Sequence, residues 1–361
     1  MKNVFITGVA GYFGAKLVEC FESADGIERV VGIDIQPPKV TGKKLLFCRR
    51  DIRDPVVGLL KEHRIDTVIH AAWILPPLHD KAHMESVNRE GSRNIFKSCA
   101  EAGVRHVLHC SSTTAYGFYP DNPPLLTEQS PLRGNETFTY SKNKREVERD
   151  CEIFRQEHPE IVFTVIRPCF VCGPGFDNPL SHYLQKKIVI LPRKTAPFQY
   201  LHEDDLMGAI MALLVQEKSG AYNLAADGTI TFPEMVTILG NYRLPMPYPL
   251  MYVLTAVAWG LRMTWLTEFP AAALDMVRYP WLASSEKLKR ETGYRFRYTT
   301  REAFERFARS VVGQETLLPT DRWDRPLSPT GGRGCPDRAS PGLACTNGEN
   351  GIAHYSSRSL S

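Results

Sequence analysis

The first apolar run of this chain breaks into three glycines spaced three residues apart. Residues 4–7 are followed by Gly8, Gly11 and Gly14. An unbroken apolar run is typical of a buried parallel strand, and glycines after it let the backbone turn tightly and approach a ligand closely. A second apolar run ends in Asp34, where a carboxylate can accept hydrogen bonds from ribose hydroxyls. Together these features predict a dinucleotide-binding βαβ unit.

Strand-like runs then alternate with amphipathic helical patterns up to about residue 168. This alternation predicts an α/β fold, a Rossmann-type doubly wound parallel sheet with a smaller C-terminal substrate lobe. The predicted strands are 3–7, 29–33, 45–48, 67–71, 105–111 and 161–167, and the predicted helices lie near 12–23, 55–62, 83–101, 139–157, 203–216 and 231–239. Ligands of such sheets bind at the carboxyl ends of the strands.

The composition changes twice along the chain. We expect a cofactor-binding domain with the catalytic residues over 1–168, and a substrate lobe interleaved with it over 169–312. Prolines and glycines crowd into residues 313–361, so we expect this tail to bury too little apolar area to fold.

Charge and cysteine usage exclude several classes of function. The net charge is +4 and the basic residues are scattered, so we expect no nucleic-acid partner. The nine cysteines lack the spacing of a disulfide framework, and no signal peptide fits before the first strand. We therefore expect a cytoplasmic protein. Cys169 and Cys172, and His79 and His83, lack the further ligands of a metal site, so no metal is predicted.

Two segments carry acid–base chemistry. Tyr140 and Lys144 are four residues apart, which places both side chains on one face of a helix. A neighbouring ammonium favours the phenolate and lowers the pKa of tyrosine from about 10. An apolar strand ends in Ser111 and Ser112, where a hydroxyl can hold a substrate oxygen whose charge changes.

With these motifs in order, residues 1 to about 310 resemble the extended short-chain dehydrogenase/reductase superfamily, of the NAD-dependent epimerase/dehydratase type. The motifs that carry the resemblance are Gly8/Gly11/Gly14, Asp34, Asp51-Ile52-Arg53-Asp54, His70-Ala71-Ala72, Asn88-Arg89-Glu90-Gly91, Ser111-Ser112, Tyr116-Gly117, Tyr140 with Lys144, Arg167-Pro168, Gly173-Pro174-Gly175, His202-Glu203-Asp204-Asp205-Leu206 and Tyr222-Asn223-Leu224-Ala225.

The resemblance implies a catalytic triad of Ser112, Tyr140 and Lys144, with Ser112 preferred over Ser111. It implies an NAD cofactor and a homodimer that forms through the helices near 83–101 and 139–157. Asp34 favours NAD over NADP, since its charge repels a 2′-phosphate. The implied cofactor-binding residues are Gly8, Gly11, Tyr12, Phe13, Gly14, Asp34, Asp51, Ile52, Ala71, Ala72, Lys144 and Pro168.

Three departures from the family pattern bear on the substrate. Thr113 and Thr114 replace the acid pair of the dehydratases, which disfavours elimination of water. Phe170 and Phe198 occupy positions where epimerases of the family carry residues that hold a pyrophosphate. The stretch from Trp73 to Leu78 is apolar, whereas the corresponding stretch of the sugar enzymes is typically small and polar. The predicted pocket walls are Trp73, Leu75, Phe170 and Phe198. Such walls favour an apolar small molecule, a sterol-like secondary alcohol or ketone, as in the hydroxysteroid-dehydrogenase-like branch.

Alternatives stay open at this point. One is a nucleotide-sugar epimerase with tightly bound NAD, and another is a non-catalytic NAD-sensing regulator. The apolar segment 249–262 is expected to be a helix that packs over the substrate lobe or against a second subunit, and a membrane-surface anchor is the alternative reading. The sequence names neither the substrate nor the reaction direction.

Overall fold

The computed structural model describes residues 1–175 and 178–312. Eleven strands are found in this part of the chain. They are β1 (Asn3–Thr7), β2 (Arg29–Asp34), β3 (Leu45–Arg49), β4 (Thr67–His70), β5 (His106–Cys110), β6 (Val162–Pro168), β7 (Phe170–Cys172), β8 (Ile188–Pro192), β9 (Tyr200–His202), β10 (Gly220–Leu224) and β11 (Tyr242–Met246).

Twelve α-helices accompany these strands within the described ranges. They are α1 (Tyr12–Glu22), α2 (Val57–Glu62), α3 (Lys81–Glu85), α4 (Gly91–Ala102), α5 (Thr139–Glu157), α6 (Pro179–Leu184), α7 (Glu203–Val215), α8 (Phe232–Ile238), α9 (Tyr248–Gly260), α10 (Asp275–Arg278), α11 (Glu286–Thr292) and α12 (Thr300–Val312). All six predicted strands and all the predicted helices are present, with ends shifted by a few residues.

A seven-stranded parallel sheet in the order β10-β6-β5-β4-β1-β2-β3 forms the centre of the molecule. Val4, Phe5 and Ile6 of β1 are fully buried, because helices cover both faces of a parallel sheet. The strand order reverses between β1 and β4, and the crevice at such a switch point is where a doubly wound fold binds its ligand. The predicted Rossmann-type fold is confirmed.

The predicted helix near 83–101 is interrupted by a π-helical turn, Ser86–Glu90, between α3 and α4. Single π turns within helices are frequent at functional sites. This turn contains Asn88, which is fully buried and accepts a 2.8 Å hydrogen bond from the Ile74 N–H. It thereby fixes the loop that follows β4.

The elements after Pro168 both extend the sheet and form a second core. Strand β10 pairs with β6 at the sheet edge, and it was not predicted because the polar Asn223 interrupts its apolar pattern. Two short parallel pairs, β7 with β9 and β8 with β11, lie outside the main sheet. The division into a domain over 1–168 and a lobe over 169–312 stays a prediction. The predicted tail falls outside the described residues.

None of the helices in residues 1–175 and 178–312 is long and apolar enough to cross a membrane. The seven cysteines of these ranges are free thiols. No group of three or more potential metal-ligating side chains occurs within the same ranges.

Candidate active site

A cavity of about 340 Å³ opens at the carboxyl ends of the central strands. The glycine-rich loop after β1 forms one side, and the hydroxyl-bearing segment after β5 forms another. The predicted site residues that line the cavity are Gly8, Gly11, Tyr12, Phe13, Gly14, Ala71, Trp73, Leu75, Ser112, Tyr140, Lys144, Pro168 and Phe170. The fold therefore brings together residues that are up to 162 positions apart in the sequence, from Gly8 to Phe170.

The glycine-rich loop has no room for side chains. Gly8 adopts a φ of +81°, and a Cβ atom there would lie 2.7 Å from the backbone of Ala72. A Cβ atom on Gly14 would lie 2.7 Å from the carbonyl carbon of Gly8. Gly11 caps helix α1 without a side-chain hydrogen bond, so the helix offers its first N–H groups to an anion. These residues fit the pyrophosphate of a dinucleotide.

Asp34, at the end of β2, supports the same loop. Its carboxylate accepts hydrogen bonds from the N–H groups of Ala10 (3.0 Å) and Gln36 (3.1 Å). Asp34 does not line the cavity, but it lies at the end of the strand next to β1. A carboxylate at this place can still accept hydrogen bonds from ribose hydroxyls with its remaining lone pairs.

The structure places Asp51 and Ile52 away from the cavity wall. Arg53 binds the Asp51 carboxylate at 2.6 Å and holds the pKa of that carboxyl below its usual range. Ile52 is buried, and a Cβ atom on Gly91 would lie 2.5 Å from its Cδ1. Both residues follow β3, on the side of the sheet where the adenine of a dinucleotide is expected.

A buried polar chain, which sequence reasoning missed, holds the backbone after β4. The Thr7 hydroxyl accepts hydrogen bonds from the N–H groups of Ala71 (3.2 Å) and Ala72 (3.1 Å). It also lies 2.8 Å from Nδ1 of His70, whose Nε2 lies 2.9 Å from the Ser92 hydroxyl. Burial lowers the pKa of His70 to about 3, so the ring is neutral. This chain of hydrogen-bonded side chains holds Ala71 beside the glycine-rich loop.

The two serines after β5 have different partners. The Ser111 hydroxyl donates a 2.5 Å hydrogen bond to Glu148, which is itself held by Arg167 at 2.6 Å. The Ser112 hydroxyl accepts a hydrogen bond from the Thr114 N–H at 3.2 Å and bonds with the Tyr140 hydroxyl. Ser111 is committed to a buried ion pair, which supports the preference for Ser112 as the hydroxyl that meets a substrate.

Lys144 is held beneath the cavity by three groups. Its Nζ donates a 2.8 Å hydrogen bond to the Cys110 carbonyl and lies 3.4 Å from the centre of the Trp73 ring. The Tyr140 ring centre is 5.7 Å from the same nitrogen. Burial of the Lys144 ammonium lowers its pKa to about 7. A cation–π contact with Trp73 favours the charged form in this buried position.

The pKa of Tyr140 differs from the sequence expectation. Enclosure in the cavity raises the pKa to about 12, although the hydrogen bond with Ser112 acts in the opposite direction. Desolvation of the phenolate dominates, and Lys144, whose Nζ is 5.7 Å from the ring centre, does not bring the pKa below its usual value. Tyr140 is therefore protonated at neutral pH in this environment.

Three of the four predicted substrate-pocket residues line the cavity, and Phe198 does not. Phe198 is only 1% exposed and packs behind Phe170, with ring centres 4.9 Å apart. Its other side contacts Phe232 and Trp281 in the second core. The prediction failed because Phe198 forms an antiparallel bridge with Ile230 that turns its side chain inward.

Further apolar side chains complete the substrate side of the cavity. Sequence reasoning missed them because they come from separate segments with no shared spacing. These residues are Pro77, Phe138, Val171, Pro179, Leu180, Phe269 and Met276. Among the described residues that line the cavity, Lys144 is the only basic one.

Two relatives illustrate the sequence similarity of this chain to known proteins. An uncharacterized protein of Mycobacterium tuberculosis is 29% identical over 321 residues, which cover 85% of this chain and 84% of the relative. A UDP-glucose 4-epimerase of Neisseria meningitidis is 32% identical over 187 residues, covering 46% of this chain and 52% of the relative.

A structure of UDP-glucose 4-epimerase from Thermus thermophilus, in complex with NAD, superimposes with a TM-score of 0.69 at 22% identity. It covers 86% of this chain and 99% of that chain. The model of the NAD-dependent epimerase/dehydratase family matches residues 4–225, which include the glycine-rich loop, Ser112, Tyr140 and Lys144, and the seven-stranded sheet except for Asn3. This chain belongs to the NAD-dependent epimerase/dehydratase family, and it is an enzyme of the extended short-chain dehydrogenase/reductase type.

Proposed function

We propose that this enzyme transfers hydride between NAD and a secondary alcohol or ketone that has a largely apolar body. The single observation that carries the proposal is the composition of the cavity. Ser112, Tyr140 and Lys144 meet at one end, and most of the remaining walls on that side are aromatic and aliphatic, with Asn178 and Thr114 as polar exceptions. A pocket of this kind pairs one polar reacting group with an apolar substrate surface.

In this proposal Tyr140 moves the proton and Ser112 holds the reacting oxygen. NAD, when bound, supplies the hydride acceptor. The Tyr140 hydroxyl, which interacts with Ser112, would take the proton of a substrate hydroxyl bound beside both groups. The Ser112 hydroxyl would stabilise the oxygen as its charge changes.

Lys144 would adjust the acidity of Tyr140. With a pKa of about 7, Lys144 gains or loses its charge near neutral pH. Its protonated form favours the Tyr140 phenolate, whose pKa of about 12 must fall for proton transfer at neutral pH. Lys144 would also bind the ribose of the nicotinamide, since its ammonium borders the cavity beside Trp73.

A nucleotide-sugar epimerase is the second candidate, favoured by the similarity to the Neisseria enzyme. Such a substrate carries a pyrophosphate, which proteins bind with basic side chains and N–H groups. In the described part of the cavity wall only Lys144 is basic, and it is already hydrogen-bonded to Cys110. This lining supports the apolar substrate over the sugar nucleotide.

The distinguishing experiment is a substrate panel. Sterols, smaller secondary alcohols and UDP-sugars are incubated with the enzyme and NAD while absorbance at 340 nm is followed. We expect net NADH formation with apolar alcohols, and a loss of about 10³-fold in kcat for Tyr140→Phe. Tyr242→Phe, an exposed tyrosine outside the cavity, is the matched control. Conversion of a UDP-sugar without net NADH would favour the epimerase, and undiminished turnover in Tyr140→Phe would overturn the mechanism.

We further propose a cytoplasmic homodimer that forms through α4 and α5, as the resemblance implies. Both helices carry charged side chains on their outer faces, such as Arg93 and Asp150, which pair within one chain at 2.8 Å. Light scattering on the purified enzyme would give the subunit number.

A further inference from the structure

Helix α9 exposes an apolar stripe where a surface helix normally carries polar residues. The exposed stripe consists of Leu250, Leu254, Val257 and Leu261, at the i, i+4, i+7 and i+11 spacing of one helical face. Only Met251 and Ala258 of this helix are buried. No charged residue occurs from 244 to 261. The helix is thus apolar on the side that packs and on the side that meets solvent.

The apolar exposure continues on both sides of α9. Strand β11, which leads into the helix, pairs with β8 so that Tyr242 lies beside Ile188, and both side chains are exposed. After the helix, Trp265 is 72% exposed. The Lys186 ammonium donates a hydrogen bond of 3.3 Å to the Trp265 carbonyl, which ties this end to the start of β8. We call the exposed side chains of 186–194 and 242–266 the α9 surface.

All charged residues in the two segments of the α9 surface are basic. These residues are Lys186, Lys187, Arg193, Lys194, Arg243 and Arg262. No aspartate or glutamate occurs in either segment. The nearby acids have partners of their own, since Asp275 accepts a hydrogen bond from Tyr248 at 2.7 Å and Glu268 lies 3.4 Å from His182.

We propose that the α9 surface docks on an anionic phospholipid bilayer. Exposed Leu, Val, Trp and Tyr side chains bury apolar area at the boundary between headgroups and acyl chains. Flanking Lys and Arg side chains attract anionic headgroups. Large exposed apolar patches are rare on soluble monomers and mark interaction sites. The combination of both features on one surface matches a lipid headgroup layer.

A second copy of the chain fits this surface less well. A two-fold interface places the same patch of each subunit against its copy. Six basic residues would then face six others with no acid in either segment to pair with them. Like charges brought together across an interface are repulsive. The charge of the α9 surface therefore favours an anionic bilayer over self-association.

The other side of α9 adjoins the candidate active site. Tyr252, Ala256 and Trp259 line a second cavity of about 240 Å³, whose opposite wall includes Phe138 and Tyr140. Docking of α9 would thus bring the membrane within one helix of the proposed proton-transfer residue. Only this last consequence, the delivery of an apolar substrate from the bilayer, rests on the proposed function.

The test is sedimentation of the full chain with vesicles. Phosphatidylcholine vesicles are compared with vesicles of equal parts phosphatidylcholine and phosphatidylglycerol, at low and at high salt. We expect binding to the anionic vesicles that salt weakens. Lys186→Glu combined with Lys187→Glu is expected to weaken binding at least roughly tenfold, because each basic residue contributes to the attraction. Lys43→Glu combined with Lys61→Glu, at exposed lysines outside both the α9 surface and the proposed dimer helices, is the charge-matched control.

The apolar contribution is tested separately. Leu254→Ser combined with Val257→Ser should weaken vesicle binding about tenfold or more, because two buried apolar side chains are lost. Leu125→Ser combined with Val215→Ser, at similarly exposed sites outside both the α9 surface and the proposed dimer helices, should not.

Equal binding of the wild-type chain to neutral and anionic vesicles, or no binding to either, would overturn the proposal. So would light scattering that shows the Leu254→Ser and Val257→Ser pair dissociating an oligomer, since a second copy would then cover the stripe. Vesicle binding is measured without turnover. Tyr140→Phe should bind vesicles like the wild type, so failure of the proposed function and failure of docking are distinguishable.

Discussion

The two sides of the cavity present different chemical groups, main chain on one side and side chains on the other. The cofactor side is backbone, with glycines, free N–H groups and strand ends packed so closely that a Cβ atom on Gly8 or Gly14 meets the main chain. The substrate side consists of large apolar side chains such as Trp73, Phe170 and Phe269. A backbone surface recognises groups that all dinucleotides share, whereas a side-chain surface can change without disturbing the fold.

The difference between the two sides predicts which substitutions should impair this enzyme and in what way. On the cofactor side a substitution must move backbone, which the parallel sheet behind it resists. On the substrate side a substitution changes the shape and polarity of a wall. Substitutions on the first side should therefore abolish binding of NAD, and those on the second should change the choice of substrate.

The largest effect is expected for Gly14→Ala. The new Cβ atom would lie 2.7 Å from the Gly8 carbonyl carbon and the Val9 Cα, both backbone atoms that cannot yield easily. We expect NAD affinity to fall more than about 100-fold, because the loop must move apart to accommodate the Cβ atom and would then lose its contacts with the phosphates. Fluorescence titration with NADH measures the affinity. Gly58→Ala, at an exposed helical glycine with open space around it, should leave it unchanged. Unaltered NAD binding by Gly14→Ala would refute the backbone account.

The next effect separates the two serines. Ser112→Ala removes the hydroxyl that bonds with Tyr140 and should lower kcat about 100-fold, with little change in the melting temperature. Ser111→Ala removes the hydrogen bond to the buried Glu148. It should lower stability by about 1 kcal/mol and leave kcat near its wild-type value. Thermal unfolding together with steady-state rates on the same preparations provides both readouts. The opposite pattern would make Ser111 the catalytic hydroxyl.

Much of the fold and the cofactor side was predictable because their signals are local. The spacing of Gly8, Gly11 and Gly14 directly reports the tight turn between β1 and α1. The apolar runs of β1, β2, β4, β5 and β6 indicate burial on both faces, whereas the edge strand β3 is partly exposed. Strand β10 was missed, since Asn223 looks unfavourable until the structure shows its side chain bonded to Tyr116 at 2.8 Å.

The substrate side was predictable only in part because its signals are tertiary. Trp73 and Leu75 follow a strand end directly, so their place at the cavity could be inferred from topology. Phenylalanine occurs at both family positions, 170 and 198, yet only Phe170 reaches the cavity. Nothing in the sequence shows that the bridge to Ile230 buries Phe198. The low acidity of Tyr140 likewise depends on enclosure, which spacing cannot report.

Replacing Phe170 tests whether the substrate side selects by apolar contact. Phe170→Asn removes a cavity wall and adds a polar amide. The KM for an apolar alcohol should rise about tenfold, as expected when roughly 1.4 kcal/mol of apolar contact is lost, and kcat should change less. Phe198→Leu, in the core behind it, should lower the melting temperature without changing KM. If only Phe198→Leu raised the KM, Phe198 would have to contact the substrate, contrary to its buried position.

The smallest effect concerns the contact that joins the cofactor side to helix α7. The Tyr12 hydroxyl, beside the glycine-rich loop, bonds with Glu203 at the start of α7, and Lys16 lies 3.3 Å from the same carboxyl group. Burial, with the charge of Asp204, raises the pKa of Glu203 to about 7. Since the folded-state pKa lies above the usual 4.5, the stability that Glu203 contributes is fully present below pH 4.5 and is lost as the pH rises through 7. Glu203→Gln does not titrate, so the wild-type advantage in melting temperature should shrink by roughly 2–5 °C between pH 5 and pH 8. Scanning fluorimetry across this range, with the exposed Glu101→Gln as control, measures the difference. An advantage that grows with pH would mean that the Lys16 ion pair outweighs burial, and that α1 is joined to α7 by charge attraction instead of by a hydrogen bond from a protonated carboxyl group.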